Sequence, residues 1–389
     1  MRNGAILISG AGIAGPTLAY WLARGGFVPT VVEHADAQRS SGSPVDVRGP
    51  AVEVAERMGV MPRLREAGTH VRTLSFLSAR GQRTGRINMA ALRRAAASRE
   101  VELPRGDLAA ALYGASRDDV EFVFGDSIAT LHPDQGGVDV TFCRSAPRRF
   151  EAVIGADGLH SAVRRLAFGP EADYVRHMGL YVATMPLDDF AVDPHDVLMY
   201  NTPGKAISVH PASGRTLAAF IFRHPQVAGF DYRDTAQHKR LLAKVYAGGG
   251  WRTPELLNRV AATEDLYFDS VSQVRLDRWS RGRVALLGDA ASCVSLFGEG
   301  SSLAMAGAAT LAGALADSPA GYQAAFGAYE ARHRVLVEPR QRGVARAAAL
   351  IVPATRGGIA IRNLATRLWP VAAAAQWVRG LGDRGRAAT

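Results

Sequence analysis

The stretch Ala5-Ile-Leu-Ile-Ser-Gly10-Ala-Gly12-Ile-Ala-Gly15 constrains this chain more than any other. A short apolar run, Ala5 to Ser9, has the look of a buried parallel strand. It ends in glycines at G-x-G-x-x-G spacing. In such a turn Gly10 permits the tight bend, Gly12 lets backbone approach a pyrophosphate, and Gly15 lets the following helix pack on the strand. A helical pattern from Ile13 to Arg24, with Ala14, Leu18 and Leu22 spaced by fours, stops at Gly25-Gly26. Pro29 to Glu33 reads as a second strand. Strand, glycine turn, helix and strand fit one βαβ unit. Glu33, 23 residues after Gly10, stands where an acid hydrogen-bonds a ribose diol. The N-terminus of that helix offers free N–H groups to a phosphate. The motif marks a dinucleotide site without separating a nicotinamide from a flavin nucleotide.

Beyond it the pattern predicts helices at Ala51–Met58 and Arg105–Ser116, and a strand near Thr73–Phe76. Val120–Phe124 and Val138–Phe142 read as a strand pair, with Gly136-Gly137 near a turn. Ala152–Ala156 is a buried strand ending at Asp157-Gly158. From Tyr174 to Arg223 short alternating segments (Gly179–Thr184, Val197–Tyr200, Ala206–Val209, Leu217–Phe222) indicate an antiparallel sheet. One helix, Thr235–Tyr246, interrupts it, and Phe268–Leu276 reads as its last strand. Val284–Gly288 returns to the buried parallel type, followed by helices at Ser301–Ala316 and Tyr322–Val352.

At 389 residues, with 48% apolar and 21% charged residues, the chain is globular rather than disordered. Two cysteines, Cys143 and Cys293, exclude a disulfide scaffold and fit a cytoplasmic location. Cys293 reads as a small buried side chain. The longest uncharged run, 300–316, is too short and too rich in small residues to cross a membrane, and no export signal is expected at the N-terminus. The net charge is +10, yet the arginines are scattered and Lys occurs only at 205, 239 and 244. No phosphate-tracking run results, so nucleic acid is not an expected partner. No CxxC or HExxH motif points to a metal, and no G-x-S-x-G to a serine hydrolase.

Two later motifs repeat the first theme. Gly155-Ala-Asp157-Gly158 is followed by Ser161 and Arg164, and Arg283-Val-Ala-Leu-Leu-Gly288-Asp289 leads to Gly298, Gly300 and a small-residue helix. With the glycine turn, these resemble the aromatic-hydroxylase family of flavin monooxygenases, typified by p-hydroxybenzoate hydroxylase. The likeness is closest to actinobacterial polyketide-tailoring and tetracycline-inactivating monooxygenases, and it covers most of the chain. It implies an α/β chain: a Rossmann-like FAD-binding domain with an inserted antiparallel-sheet substrate domain and a C-terminal helical segment. The FAD-binding parts would be 1–72, 105–172 and 277–345, the substrate domain 73–104 and 173–276, and the C-terminal helical segment and tail 346–389.

The resemblance also implies site residues. Gly10, Gly12, Ala14, Gly15, Glu33 and His34 would hold the ADP half of FAD. Arg105 would lie near the flavin phosphates, and Asp46 and Arg48 near the flavin. Asp157 would belong to the turn that contacts FAD and serves NAD(P)H. Gly288, Asp289, Gly298, Gly300 and Ser301 would meet the ribityl and pyrophosphate region. Tyr181, Met199, His210, Phe220, Phe222 and Phe297 are candidates for the substrate wall, about half of them facing it by alternation. The implied reaction uses NAD(P)H transiently and adds O2 at flavin C4a to hydroxylate an aromatic or polyketide-like molecule. A Baeyer–Villiger oxygenase, oxidase or reductase on the same fold, or a flavin- or ligand-binding protein with weak turnover, are the alternatives. A monomer or homodimer is expected. One departure stands out: the loop Ser292–Gly300 lacks the family's prolines and has Glu299 in place of Gln. An inward carboxylate would oppose charge on reduced flavin, so Glu299 is expected to point away or to be paired, with Arg48 the candidate partner.

Overall fold

The computed structural model describes residues 4–38, 44–91, 99–187, 189–212, 215–294, 299–318 and 320–366. Along the chain run β1 (Ala5–Ser9), α1 (Ala14–Arg24), β2 (Val28–Glu33), β3 (Val45–Val47), α2 (Pro50–Arg57), α3 (Met61–Glu66), β4 (Thr73–Leu77) and β5 (Arg83–Asn88). Then come β6 (Val101–Leu103), α4 (Arg105–Ser116), β7 (Glu121–Phe124), β8 (Ile128–Pro133), β9 (Val138–Phe142), β10 (Arg148–Phe150), β11 (Ala152–Gly155) and α5 (Ala162–Ala167). The strands β12 (Val175–Leu187), β13 (Asp196–Thr202), β14 (Lys205–Ala212) and β15 (Arg215–Arg223) precede α6 (Thr235–Tyr246), α7 (Thr253–Ala262) and β16 (Tyr267–Val274). Last among the described residues are β17 (Ser280–Arg281), β18 (Val284–Leu286), α8 (Asp289–Ser292), α9 (Glu299–Asp317), α10 (Tyr322–Ile351) and α11 (Arg356–Thr366).

The chain forms two compact units. The first comprises Met1–Thr69, Arg99–Gly179 and Ser270–Ala347; the second comprises His70–Ser98, Leu180–Asp269 and Ala348–Thr389. The described residues after 347 thus group with the second unit.

The first unit is built on a sheet of order β17-β18-β11-β1-β2-β7, parallel except for β17. β1 lies in its interior because Ile6, Leu7 and Ile8 are fully buried, as an unbroken apolar run between two neighbours requires. In open parallel sheets the loops beyond the carboxyl ends of the strands are where ligands bind. The expected pairing of Val120–Phe124 with Val138–Phe142 is corrected. β7 joins β2 in parallel (Thr30↔Glu121, Glu33↔Phe124), while β9 is the middle strand of β10-β9-β8. Alternation fixes which face a strand buries but not which strand it meets. The Gly136-Gly137 turn joins β8 to β9, both N–H groups donating to Asp134 Oδ1.

The second unit centres on a sheet of order β16-β12-β15-β14-β13-β4-β5. Its β12, β15, β14 and β13 are antiparallel in succession, whereas β13 pairs with β4 in parallel (Asp196↔Thr73). Two helices follow these strands, not one. α7 was missed because its apolar signal is short: Leu256 and Val260 are its buried aliphatics, and Pro254 sits in its first turn. Leu242 and Tyr246 of α6 and Leu256 and Val260 of α7 join the sheet's Tyr181, Phe220 and Phe222 in one apolar cluster. Each fully buried ring there stabilises the unit by roughly 1.5–3 kcal/mol relative to exposure. Among the described residues no single helix is long and apolar enough to cross a membrane.

Candidate active site

The β1–α1 turn needs its glycines for different reasons. Gly10 has φ +105°, and a Cβ there would lie 2.5 Å from the Ala156 carbonyl oxygen. Its N–H donates to Val32 O at 2.7 Å. At Gly15 a Cβ would stand 1.9 Å from Gly10 O, so α1 closes on the turn only because that atom is missing. At Gly12 a Cβ would meet nothing within 4 Å. The backbone there borders open space, which is what an approaching diphosphate requires. α1 starts at Ala14 with no capping side chain and no acid in its first turn, leaving its dipole to a ligand anion. Glu33 ends β2 beside this turn. Its carboxylate accepts from Ala11 N (2.8 Å) and Ala35 N (3.0 Å) and lies 2.9 Å from Nδ1 of the exposed His34. An open glycine cradle, an unclaimed helix N-terminus and a fixed acid together suit an adenine dinucleotide such as FAD.

The third motif meets the first. Gly288 has φ +64°, and a Cβ on it would be 3.2 Å from Ala14 Cβ, so the Gly288-Asp289 turn lies against the start of α1. A Cβ on Gly300 would be 3.5 Å from Asp289 Oδ1. Ser301 and Ser302 at the start of α9 donate to Asp46 O at 2.8 and 2.7 Å, and Arg48 N donates to Ser302 Oγ at 3.0 Å. β3 is therefore stitched to α9. β3 also pairs with β6 (Val45↔Leu103), which carries the exposed Arg105 onto an adjoining element. Arg48 pairs with Asp46 and, at 3.5 Å, with Glu299; the other Glu299 oxygen lies 3.4 Å from Arg340 Nε. Burial raises the Asp46 pKa, against the opposing pull of Arg48. Glu299 is paired, twice, with Arg48 as one partner. Arg340 carried no local sequence signal, since it lies in a long helix remote in sequence.

The second motif closes the ring differently. Ala156 N donates to Ser9 O at 2.8 Å, which sets the Asp157 turn beside the glycine turn. Asp157 itself is directed at its own loop. It accepts from Ser161 Oγ, from Val163 N at 3.0 Å and from Ser9 Oγ at 3.4 Å, and burial raises its pKa. Its carboxylate braces α5. Arg164 was named with the motif but not with the site. It is fully buried and donates to Ala290 O at 3.0 Å and to Leu159 O, tying the Asp157 turn to the Asp289 turn. Burial lowers its pKa, opposed by Glu171.

In the second unit the substrate candidates separate. Tyr181, Phe220 and Phe222 are fully buried: each is at 0% exposure in the cluster under α6 and α7. Tyr181 Oη accepts from Val227 N at 2.9 Å. These three are core residues, a correction of the substrate-wall expectation, because the helices cover their face of the sheet. Met199 and His210 lie on the opposite face, in register with Ala219 and Leu217 through β14. His210 Nε2 is 2.8 Å from Ser208 Oγ, and burial pushes its pKa down to about 4. Phe297 and Gly298 lie outside the described residues. A cavity of about 300 Å³, lined by Tyr200, Lys205, Tyr246 and Gly248–Gly250 among others, holds none of the substrate candidates. Among the described residues no group of three or more His, Cys, Asp or Glu is placed to hold a metal ion.

Comparison with known proteins agrees with this geometry. The family model described as FAD binding domain matches residues 4–337. An uncharacterised protein of Mycobacterium tuberculosis (strain H37Rv) is 41% identical over 349 residues, covering 86% of this chain and 91% of its own. A flavin-dependent monooxygenase of Legionella longbeachae is 34% identical over 346 residues, 88% of either chain. The crystal structure of tetracycline destructase Tet(51) superposes with a TM-score of 0.83 at 30% identity, covering 94% of this chain and 96% of that one. The chain belongs to the FAD-binding-domain family, and within it to the flavin-dependent monooxygenases.

Proposed function

We propose that this FAD-dependent monooxygenase uses NAD(P)H and O2 to hydroxylate an aromatic or polyketide-like small molecule. The observation that carries the reading is the convergence of three sequence-distant turns, at Gly10–Gly15, Asp157 and Gly288-Asp289, around the open side of Gly12. When bound, FAD supplies the redox chemistry, taking hydride from the nicotinamide and activating oxygen. The chain's own residues bind and orient. The glycine turn and α1 take the diphosphate, and Glu33, with His34 beside it, takes the adenosine ribose. Asp289, Gly300 and Ser301 would meet the ribityl and pyrophosphate region, where a hydroxyl would donate to the Asp289 carboxylate. Arg105 would supply positive charge near the phosphates, and Arg48, engaged by Asp46 and Glu299, would lie near the ring. Asp157 and Arg164 hold the turns in register. The first unit is the cofactor-binding part, and the second offers Met199 and His210 to the substrate. The enzyme is read as cytoplasmic and as a monomer or homodimer.

The test has two stages. The purified protein is denatured and the released flavin chromatographed; FAD is expected, and FMN as the sole flavin sinks the assignment of Glu33. A substrate panel that includes tetracycline, on which the similar destructase acts by name, is then screened for stimulated NAD(P)H oxidation with matching oxygen uptake. NAD(P)H oxidation that no aromatic compound stimulates counts against hydroxylation.

A further inference from the structure

The sheet of the second unit has two faces of different character. On the helix side, Tyr181, Ala183, Val209, Phe220 and Phe222 are at 0% exposure. On the other, Val182, Pro186, His210, Leu217 and Ile221 stay partly open. Strand register arranges that face in three rows, the middle one nearly closed to solvent at 2–8% exposure. Pro186, Leu217 and His210 form one, Thr184, Ala219, Ser208 and Met199 the next, and Val182, Ile221, Ala206 and Asn201 the third.

No described side chain in these rows carries a charge. The rows form a carbon platform suited to a ring face, with Ser208 and His210 as a hydrogen-bonded pair set into it. His210 Nδ1 has no hydrogen-bond partner among the described residues. A buried polar atom left so is either a cost or half of a contact that a ligand completes. Burial holds the imidazole neutral at any ordinary pH. In the tautomer whose Nε2–H donates to Ser208 Oγ, Nδ1 is an acceptor. Two arginines of this unit with contacts on this face are engaged elsewhere. Arg362 stacks on Phe76 and donates to Asn201 Oδ1, and Arg223 donates to Val352 O. Asn201 pairs with Ala206, four residues from His210 and about 13 Å along the strand.

We propose that this face selects uncharged hydroxylated rings: a phenol or enol hydroxyl of the substrate donates to His210 of the Ser208–His210 pair, and aromatic carboxylates are rejected. A carboxylate here would lose its hydration and find no described cation, and two acceptors would face each other. A site built around a hydroxyl discriminates strongly against a ligand that cannot supply it. The inference rests on the reading of this unit as the substrate-binding part.

The test is a binding titration on the FAD-loaded protein, read by perturbation of flavin absorbance, with a naphthalenediol and the matching naphthoate as probes. The diol is expected to bind at least tenfold more tightly. His210→Phe should weaken the diol about tenfold, His210→Gln should recover part of that because it can still accept, and FAD content should stay unchanged in both. Equal or tighter naphthoate binding overturns the proposal. Diol affinity unaffected by His210→Phe overturns it too, as does no diol binding at all. Diol binding that depends on His210 without stimulated NAD(P)H oxidation leaves this inference standing and defeats the hydroxylase reading. Stimulated turnover that ignores His210 does the reverse.

Discussion

At the scale of single residues, Glu299 shows how a local departure is absorbed. An ionised carboxylate at the start of α9, close to a reduced flavin, would disfavour the anion by several kcal/mol at contact distance and an effective dielectric near 20 (an order-of-magnitude figure). The structure neutralises it with two guanidinium groups, Arg48 and Arg340, at 3.5 and 3.4 Å. Each pair is part-exposed and contributes no more than about 1 kcal/mol to stability, yet together they cancel the charge a flavin would feel. Glu299→Gln removes the negative charge and leaves the guanidinium groups uncompensated, so it is expected to raise the flavin reduction potential by roughly several tens of millivolts. Potentiometric titration with a reference dye measures this. An unchanged potential would mean that the cluster is too distant or too well screened to act on the ring.

Among the elements, α9 and α10 meet where Gly307 has no side chain. A Cβ there would lie 2.8 Å from His333 Nε2. His333 is 1% exposed, stacked on Tyr329 and edge-on to Trp279. Burial, helped by Arg340, lowers its pKa to about 4, against a hydrogen bond with the Leu303 backbone. The folded protein thus leaves His333 neutral where the unfolded chain, near pH 6.5, takes up a proton. Between those values the unfolded state binds more protons, so stability falls as pH falls from about 6.5 to about 4 and loses nothing more from this group below that. The full window is worth about 3 kcal/mol, and roughly 2 kcal/mol of it is gone by pH 5. His333→Gln should melt with a smaller difference between pH 7.5 and 5.0 than the wild type. Identical differences would show that His333 does not titrate across this interface.

Elements also divide what the sequence reveals from what it hides. The bounds of α4 and α6, Arg105–Ser116 and Thr235–Tyr246, follow from local periodicity and end signals. The turns at Gly10, Asp157 and Gly288 are legible because tight backbone demands glycine or a short acid at fixed spacing. Partners in space are not local. β7 and β9 alternate alike, so nothing in either states that one joins β2 and the other β10. Alternation puts Phe220 and Phe222 on one face, but only the seating of α6 and α7 decides that this face is the closed one. Arg340 and Ser302 enter the site region from distant segments for the same reason.

For the whole molecule, each unit is assembled from three stretches of chain, and three of the crossings fall inside β12, β16 and α10 rather than in a linker. Every described residue assigned to FAD lies in the first unit. A ligand that binds only the folded form stabilises it by mass action, by about 2.7 kcal/mol at a free concentration one hundred times the dissociation constant. For a chain of this size that raises the melting temperature by about 3 °C. Adding FAD to apo protein should produce this shift. Gly12→Val is the discriminating variant. Gly12 carries no positive-φ requirement and a Cβ there strikes nothing, so the fold tolerates the side chain, but its branches fill the space left for the diphosphate. The variant should melt close to the wild-type apo temperature and stay there as FAD is added. A lower melting temperature without ligand would make Gly12 a structural glycine, and a normal FAD-induced shift would move the nucleotide away from the β1–α1 turn.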